Sequence, residues 1–261
     1  SPPERKIALP RIYSILVDRN NNCWLGGIDQ KLHRIAADGH ISTFPITQIR
    51  KIIQTKDGSI LVAGRTGVQS IKDDRIRDIE TLKVGKNGPH YTTISCILED
   101  RQGRMVLGTN GSGLVIFDPA TEQVLTLTPQ NGMPSDIVQG VLQDDKGVYW
   151  VSTTRGLASV SLMAGDTLIK VYNKSDGLIA SEFNYGSFAR LSDGTFAFGS
   201  IDGVSLFKPS KIEVQGQLPK LVLENFQVLN EKHNRKPSIL PANVNVSDHV
   251  VLRYYENAIK I

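Results

Sequence analysis

Residues 94–114 read Ile94-Ser95-Cys96-Ile97-Leu98-Glu99-Asp100-Arg101-Gln102-Gly103-Arg104-Met105-Val106-Leu107-Gly108-Thr109-Asn110-Gly111-Ser112-Gly113-Leu114, and the same order of residue types returns at 137–157. Each stretch is an apolar strand ending in Asp, a Gly-containing turn, a second apolar strand closed by small residues, and a Gly-Leu start to a third. The unit can be followed outward in both directions. Upstream it appears around Asn21 and Asp57-Gly58, and downstream around Asp193-Gly194. The turn positions Asn21, Gly58, Gly103, Gly147 and Gly194 fall 37, 45, 44 and 47 residues apart. Self-similarity at that period is the signature of a stacked repeat architecture.

Every unit alternates with the period of a strand, and none holds a 3.6-residue apolar period long enough for a helix. A spacing near 40–45 with four short strands per unit is that of propeller blades. The expected fold is therefore all-β: five four-stranded β-propeller repeats. Asp57-Gly58 and Asp193-Gly194 supply the positive φ that a tight hairpin needs. Small pairs such as Gly26-Gly27, Gly108-Thr109 and Ser152-Thr153 end the second strands, where close approach of neighbouring backbone is expected. Trp24, Leu61, Val106, Trp150 and Ala197 share one position in that strand and are expected to pack between blades.

The chain has 261 residues, 30 Lys+Arg against 26 Asp+Glu and a net charge of +4, too small to dictate a partner. No apolar run is long enough to span a bilayer. The opening Ser1-Pro2-Pro3-Glu4-Arg5-Lys6 is unlike a secretion signal, so any such signal is expected to have been removed or to be lacking. Cys23 and Cys96 lie far apart without a CxxC, which excludes a thiolate zinc site and a disulfide scaffold. The five histidines lack metal-ligand spacing, so no metal and no cofactor is expected. The sequence holds neither a phosphate-binding GxxxxGK loop nor a GxSxG elbow. The basic stretch from Arg50 to Arg77 is broken by strands and lacks interleaved aromatics, so nucleic-acid binding is not expected. Asp73-Asp74 and Asp144-Asp145 read as solvated turn acids.

The paired stretches at 94–114 and 137–157 resemble the two-component regulator propeller repeat. The run from Asp176-Gly177-Leu178 through Phe207-Lys208-Pro209 resembles the closing blade of the periplasmic sensor region in hybrid sensor histidine kinase/response regulators. Leu218–Phe226 and Val251–Asn257 resemble the first strands of the triple-tyrosine β-sandwich that follows the propeller in those receptors. The resemblance implies a propeller over 1–209, usually seven-bladed in that family, a linker over 210–220, and the N-terminal part of a sandwich over 221–261. It further implies a non-catalytic periplasmic module that senses oligosaccharide fragments to control polysaccharide-utilisation genes. Dimerisation through the sandwich is implied too, with membrane attachment only through segments outside this sequence.

Propellers usually bind on the face that carries the loops between second and third strands and the blade-to-blade connections. Candidate ligand contacts on that face are Arg65, Tyr91, Asn110, Arg155, Asn184 and Asp202. Arg and Asn suit sugar hydroxyls, and Arg65 with Arg155 suits a uronate or sulfate. No residue is assigned a catalytic role. The competing readings are a propeller lyase or hydrolase, with His90-Tyr91 as the adjacent candidates, and a protein-interaction scaffold.

Overall fold

The computed structural model describes residues 11–27, 31–46, 48–82, 93–163, 166–212, 227–228 and 259–260. The chain divides into two compact units, Ser1–Ile212 and Glu213–Ile261. In the second, β20 (Gln227–Val228) pairs antiparallel with β21 (Ile259–Lys260).

The first unit is a series of antiparallel sheets in sequence order. Blade 1 is β1 (Ile12–Val17), β2 (Cys23–Gly27), β3 (Leu32–Ile35) and β4 (Ile41–Phe44). Blade 2 is β5 (Ile49–Gln54), β6 (Ile60–Gly64), β7 (Gly67–Lys72) and β8 (Arg75–Asp78). Blade 3 is β9 (Ile94–Glu99), β10 (Met105–Thr109), β11 (Leu114–Asp118) and β12 (Gln123–Leu127). Blade 4 is β13 (Val138–Gln143), β14 (Tyr149–Thr153), β15 (Gly156–Met163) and β16 (Asp166–Tyr172). Blade 5 is β17 (Phe183–Arg190), β18 (Phe196–Ser200) and β19 (Gly203–Phe207), three strands among the described residues. The first strands β1, β5, β9, β13 and β17 pack on one another in sequence around a central channel, the arrangement of a β-propeller.

The cores lie between blades because each sheet buries one face on the blade before it and the other on the blade after. Trp24 and Leu32 of blade 1 meet Ile52, Ile60 and Val62 of blade 2, and Leu61 and Val68 meet Ile97 and Leu107 in the same way. Trp24 and Trp150 are 3% and 2% exposed, core residues as their position demanded. A Cβ on Gly108 would come 2.6 Å from Val138 Cγ1 of the next blade, so the small pair does mark a close approach. At the two ends of the series the pattern breaks. Ile15 is 64% exposed while its counterparts Ile52, Ile97 and Val141 are buried, and Val204 is 55% exposed while Leu32, Val68, Leu114 and Leu157 are buried. Consistently, β17 and β1 touch far less than consecutive first strands do.

The first hairpin of blades 1, 3 and 4 turns on a buried carboxylate. Asp18, Asp100 and Asp144 each accept two backbone amides of their own turn through Oδ1, at 2.8–3.0 Å. Asp144 is thus a buried structural acid, which corrects the reading of Asp144-Asp145 as a solvated pair. An acid in this position satisfies turn amides that would otherwise lack a partner. Its Oδ2 then takes a donor from the core: Trp24 Nε1 at 2.8 Å for Asp18 and Trp150 Nε1 at 3.0 Å for Asp144. Blade 3 has Val106 at the tryptophan position, and there Oδ2 of Asp100 is met by Tyr149 Oη from blade 4 and by Arg104 Nε.

Candidate functional site

Two faces of the blade series differ in chemistry. On the loop face, in blades 2 to 5, the residue after the second strand donates its amide to the carbonyl before the first strand. The pairs are Arg65 to Gln48 at 3.4 Å, Asn110 to Thr93 at 2.9 Å, Thr154 to Ile137 at 3.3 Å and Ile201 to Glu182 at 3.4 Å. These bonds hold the short loops beside the blade-to-blade connections, so Arg65, Asn110, Arg155 and Asp202 do share this face. Arg65 and Arg155 are exposed, as are Asn110 and Asp202. Asp202 faces Lys174 at 3.3 Å. None of the four lines the two cavities of about 510 and 370 Å³ described for this unit. Tyr91, His90 and Asp29 lie outside the described residues.

What gathers at the channel mouth is a set of bulge residues. Between Ile12↔Gly27 and Ser14↔Gly26 one residue of β1 has no partner, and that residue is Tyr13. The same one-residue bulge frees Arg50 in β5, Ser95 in β9 and Gln139 in β13. In β17 it grows to three extra residues, since Phe183 pairs with Ser200 and Phe188 with Phe198. Asn184 and Tyr185 sit in this enlarged bulge, with Gly186 at φ +66°. A bulge bends the strand and re-aims side chains, which is why it recurs beside binding sites.

The re-aimed groups converge. The Arg50 guanidinium lies 4.5 Å from the Tyr13 ring centroid. Tyr185 comes within electrostatic reach of both, and burial of its hydroxyl end pushes its pKa up to about 12 against the pull of Arg50, although 42% of the residue is exposed. Tyr13 is 41% exposed, so two tyrosine rings and a guanidinium stand partly open to solvent at one mouth. Ser95 is committed to structure, its hydroxyl donating to Val138 O at 2.6 Å. Below the mouth Phe188 crosses the channel from blade 5. Its ring lies against Gly140 of blade 4 and 5.8 Å from Lys51 Nζ of blade 2. Cys96 is buried, and burial raises its thiol to about 11, which makes it inert; Cys23 and Cys96 are both free.

The turn face is tied together differently. The amide after each first strand donates to a side chain of the next blade: Arg19 to Gln54 at 2.9 Å, Lys56 to Glu99 at 2.6 Å and Arg101 to Gln143 at 3.0 Å. Arg190 extends this row by gripping Asp145 through both carboxylate oxygens at 2.9 Å.

Comparison with known proteins adds identity to this geometry. Residues 88–111 match the family model described as two component regulator propeller. That stretch is thus similar to a two-component regulator propeller repeat. This stretch includes β9 and β10, the two strands that supply Ser95 and its partner strand at the channel wall. Across 123 residues the propeller is 31% identical to histidine kinase P4 of Formosa agariphila, a match that covers 47% of this chain and 9% of that protein. In fold it is similar to the extracellular domain of the putative hybrid two component system BT4673 from B. thetaiotaomicron. That likeness has a TM-score of 0.62 at 18% identity, over 78% of this chain and 28% of the other. It is also similar to virginiamycin B lyase from Staphylococcus aureus, with a TM-score of 0.58 at 14% identity, over 76% and 70%. The propeller therefore spans less than a third of the two signalling proteins it resembles.

Sequence reasoning placed the site in the loops and passed over Tyr13, Arg50 and Gln139. A signal was present: each of these polar or aromatic residues directly follows the first apolar residue of an inner strand, where a third apolar side chain would otherwise be expected.

Proposed function

We propose that this propeller is the ligand-sensing, non-catalytic part of a hybrid two-component receptor and that it recognises oligosaccharide fragments. The observation that carries the reading is the Tyr13, Arg50 and Tyr185 cluster at the loop-face mouth. Sugar rings present apolar C–H faces edged by hydroxyls, and partly exposed tyrosines beside a guanidinium offer a stacking surface with fixed donors. Asn184, in the same bulge as Tyr185, supplies an amide, and Arg65, Asn110, Arg155 and Asp202 would contact the parts of a longer chain that run over the loop face. Tyr91 belongs to the same expectation through its connection.

The likeness to histidine kinase P4 supports a signalling role, and the extracellular placement named for the BT4673 domain supports a periplasmic location. Under this reading the sandwich segment from 221 onward would dimerise and relay the signal to polysaccharide-utilisation genes, and the uncovered faces of blades 1 and 5 would take the further blades of a seven-bladed ring. The competing reading, a polysaccharide-cleaving propeller, has turnover of the same ligands as its criterion.

The test is a thermal-shift screen against neutral, uronate-bearing and sulfated oligosaccharides. A ligand at 100 times its Kd stabilises by about 2.7 kcal/mol. A selective shift that Tyr185→Ala abolishes supports the reading. A cooperative melt unmoved by every saccharide counts against it, and product release identifies a lyase.

A further inference from the structure

The opposite, turn-face end of the channel holds a cavity of about 510 Å³ that the sugar-binding reading leaves unused. Its walls are apolar, formed by the buried sides of β5, β9 and β13 and by the Phe188 ring. Its charged lining is dominated by cations: Arg19, Lys51, Lys56 and Arg101 against Glu99 and Asp100. The carboxylates are largely spoken for. Asp100 uses both oxygens on its own turn, Arg104 and Tyr149, and Glu99 accepts the Lys56 amide.

The cations are held by neutral oxygens. Lys56 Nζ donates to the carbonyls of Asp100 and Arg101 at 2.9 and 2.8 Å, and Arg19 Nη1 donates to the carbonyl of Lys56 at 3.0 Å. Those bonds fix the positions of the ammonium and guanidinium without cancelling their charge. Among the described residues Arg101 is the rim cation with an ion pair, to Asp145. Lys51 is the sharper case. It is half-buried in the channel wall, and among the described residues its ammonium makes no hydrogen bond or ion pair, having only the face of Phe188 at 5.8 Å. A charge withdrawn from water without a partner is costly, and a bound counter-charge removes that cost.

We propose that this cavity is a second ligand site, distinct from the loop-face mouth, which takes a small organic anion: a carboxylate or sulfate group carried on an apolar ring. The anionic group sits between Lys51 and Lys56, and the ring lies against Phe188. Neither half suffices alone, because inorganic sulfate leaves the apolar wall wet and a neutral ring leaves Lys51 unpaired. Occupancy of such a site would brace blades 2 to 5 from within, since Lys51, Lys56 and Phe188 come from strands on both sides of the channel.

The experiment is calorimetric titration of the whole chain with 2-naphthalenesulfonate, with 2-naphthalenemethanol as the neutral match and sodium sulfate as the bare anion. Saturable one-to-one binding of the sulfonate is expected, at least tenfold tighter than either control and weakened several-fold by raising salt from 50 to 300 mM, a range in which an ion pair at this partly open site is screened. Lys51→Met is expected to weaken it tenfold or more while leaving the fold intact, because that side chain has no hydrogen bond to lose. Leu206→Ser, on the uncovered face of blade 5, is expected to leave it unchanged. Equal binding of sulfonate and alcohol overturns the proposal, as does binding that survives Lys51→Met or is lost in Leu206→Ser, since either places the probe on exposed apolar surface. Absence of binding at millimolar probe also overturns it.

Discussion

The Tyr149 hydroxyl of blade 4 donates to Oδ2 of Asp100 in blade 3 over 2.6 Å. It replaces, from across a blade boundary, the indole donor that blades 1 and 4 supply from within. One hydrogen bond thereby serves two purposes, completing a turn and fastening two blades. Tyr149 has no exposed surface, so its phenol and the carboxylate meet out of water, where hydrogen bonds to a charged group are worth about 1.5–3 kcal/mol. Tyr149→Phe should therefore lower the stability of the propeller by about 2 kcal/mol in urea unfolding, with an unchanged slope.

The tryptophan turns give a matched pair of substitutions. Trp150 packs against Tyr172 at 5.5 Å and Phe207 at 4.9 Å, whereas among the described residues the aromatic ring that Trp24 meets is Phe44 at 5.4 Å. Trp150→Phe orphans Oδ2 of Asp144, at about 1–3 kcal/mol, whereas Trp24→Phe leaves Asn22 Nδ2 donating to Oδ2 of Asp18 at 2.9 Å. Trp150→Phe should cost more, because it also loosens an aromatic cluster. Denaturation midpoints of the two single variants test the order, and equal losses would mean that neither the orphaned oxygen nor the larger aromatic cluster adds to the cost.

Gly140→Ala probes the channel. A Cβ there would stand 2.2 Å from Phe188 Cδ1, so the ring must move or β13 must shift. Overpacking of this kind costs about 1–3 kcal/mol. The variant should be less stable and should bind anything that depends on Phe188 more weakly, and a wild-type melting temperature would show that the ring yields freely.

Acid should unfold the protein in a defined window. Burial would raise the carboxyls of Asp18 and Asp100, but hydrogen bonds from Trp24 and Asn22 and from Tyr149 and Arg104 outweigh it and hold both below the ordinary value of 3.8. The amide of Thr195, with Lys208, draws Asp193 down to about 2. Depressed folded-state values mean that the contribution is complete above pH 4 and is lost as pH falls from there toward the folded values. The melting temperature should be insensitive to these groups from pH 7 to about 5 and drop below pH 4. Asp100→Asn should flatten the drop.

The repeat and its strand order were legible because hairpin pairing is local and its turn residues announce themselves. Arg65, Asn110, Arg155 and Asp202 could be assigned to one set of loops from the sequence, since alternating strand direction fixes which loops lie together. The bulges were not legible. A bulge is a mismatch between two strands, and Tyr13 or Arg50 reveals nothing of it until β2 or β6 is paired alongside. The longer bulge in β17 escaped for the same reason. Lys51 was hidden as well, because a lysine in a strand reads as solvent-facing until the channel is assembled around it.

The uncovered flanks of blades 1 and 5 set an order of loosening. An interior blade must shed two neighbours before it can open, but each terminal blade has one, and stability in an array of repeats accumulates from such nearest-neighbour contacts. Amides in β9 and β10 should therefore be the slowest in the molecule to exchange with deuterium, and those in β1 and β19 among the fastest, with protection declining outward from the third blade. Tyr13 and Tyr185 stand on those two lenient outer blades and Arg50 on the firmer second. The aromatic half of the mouth can thus yield to an incoming ring while its charge keeps its place.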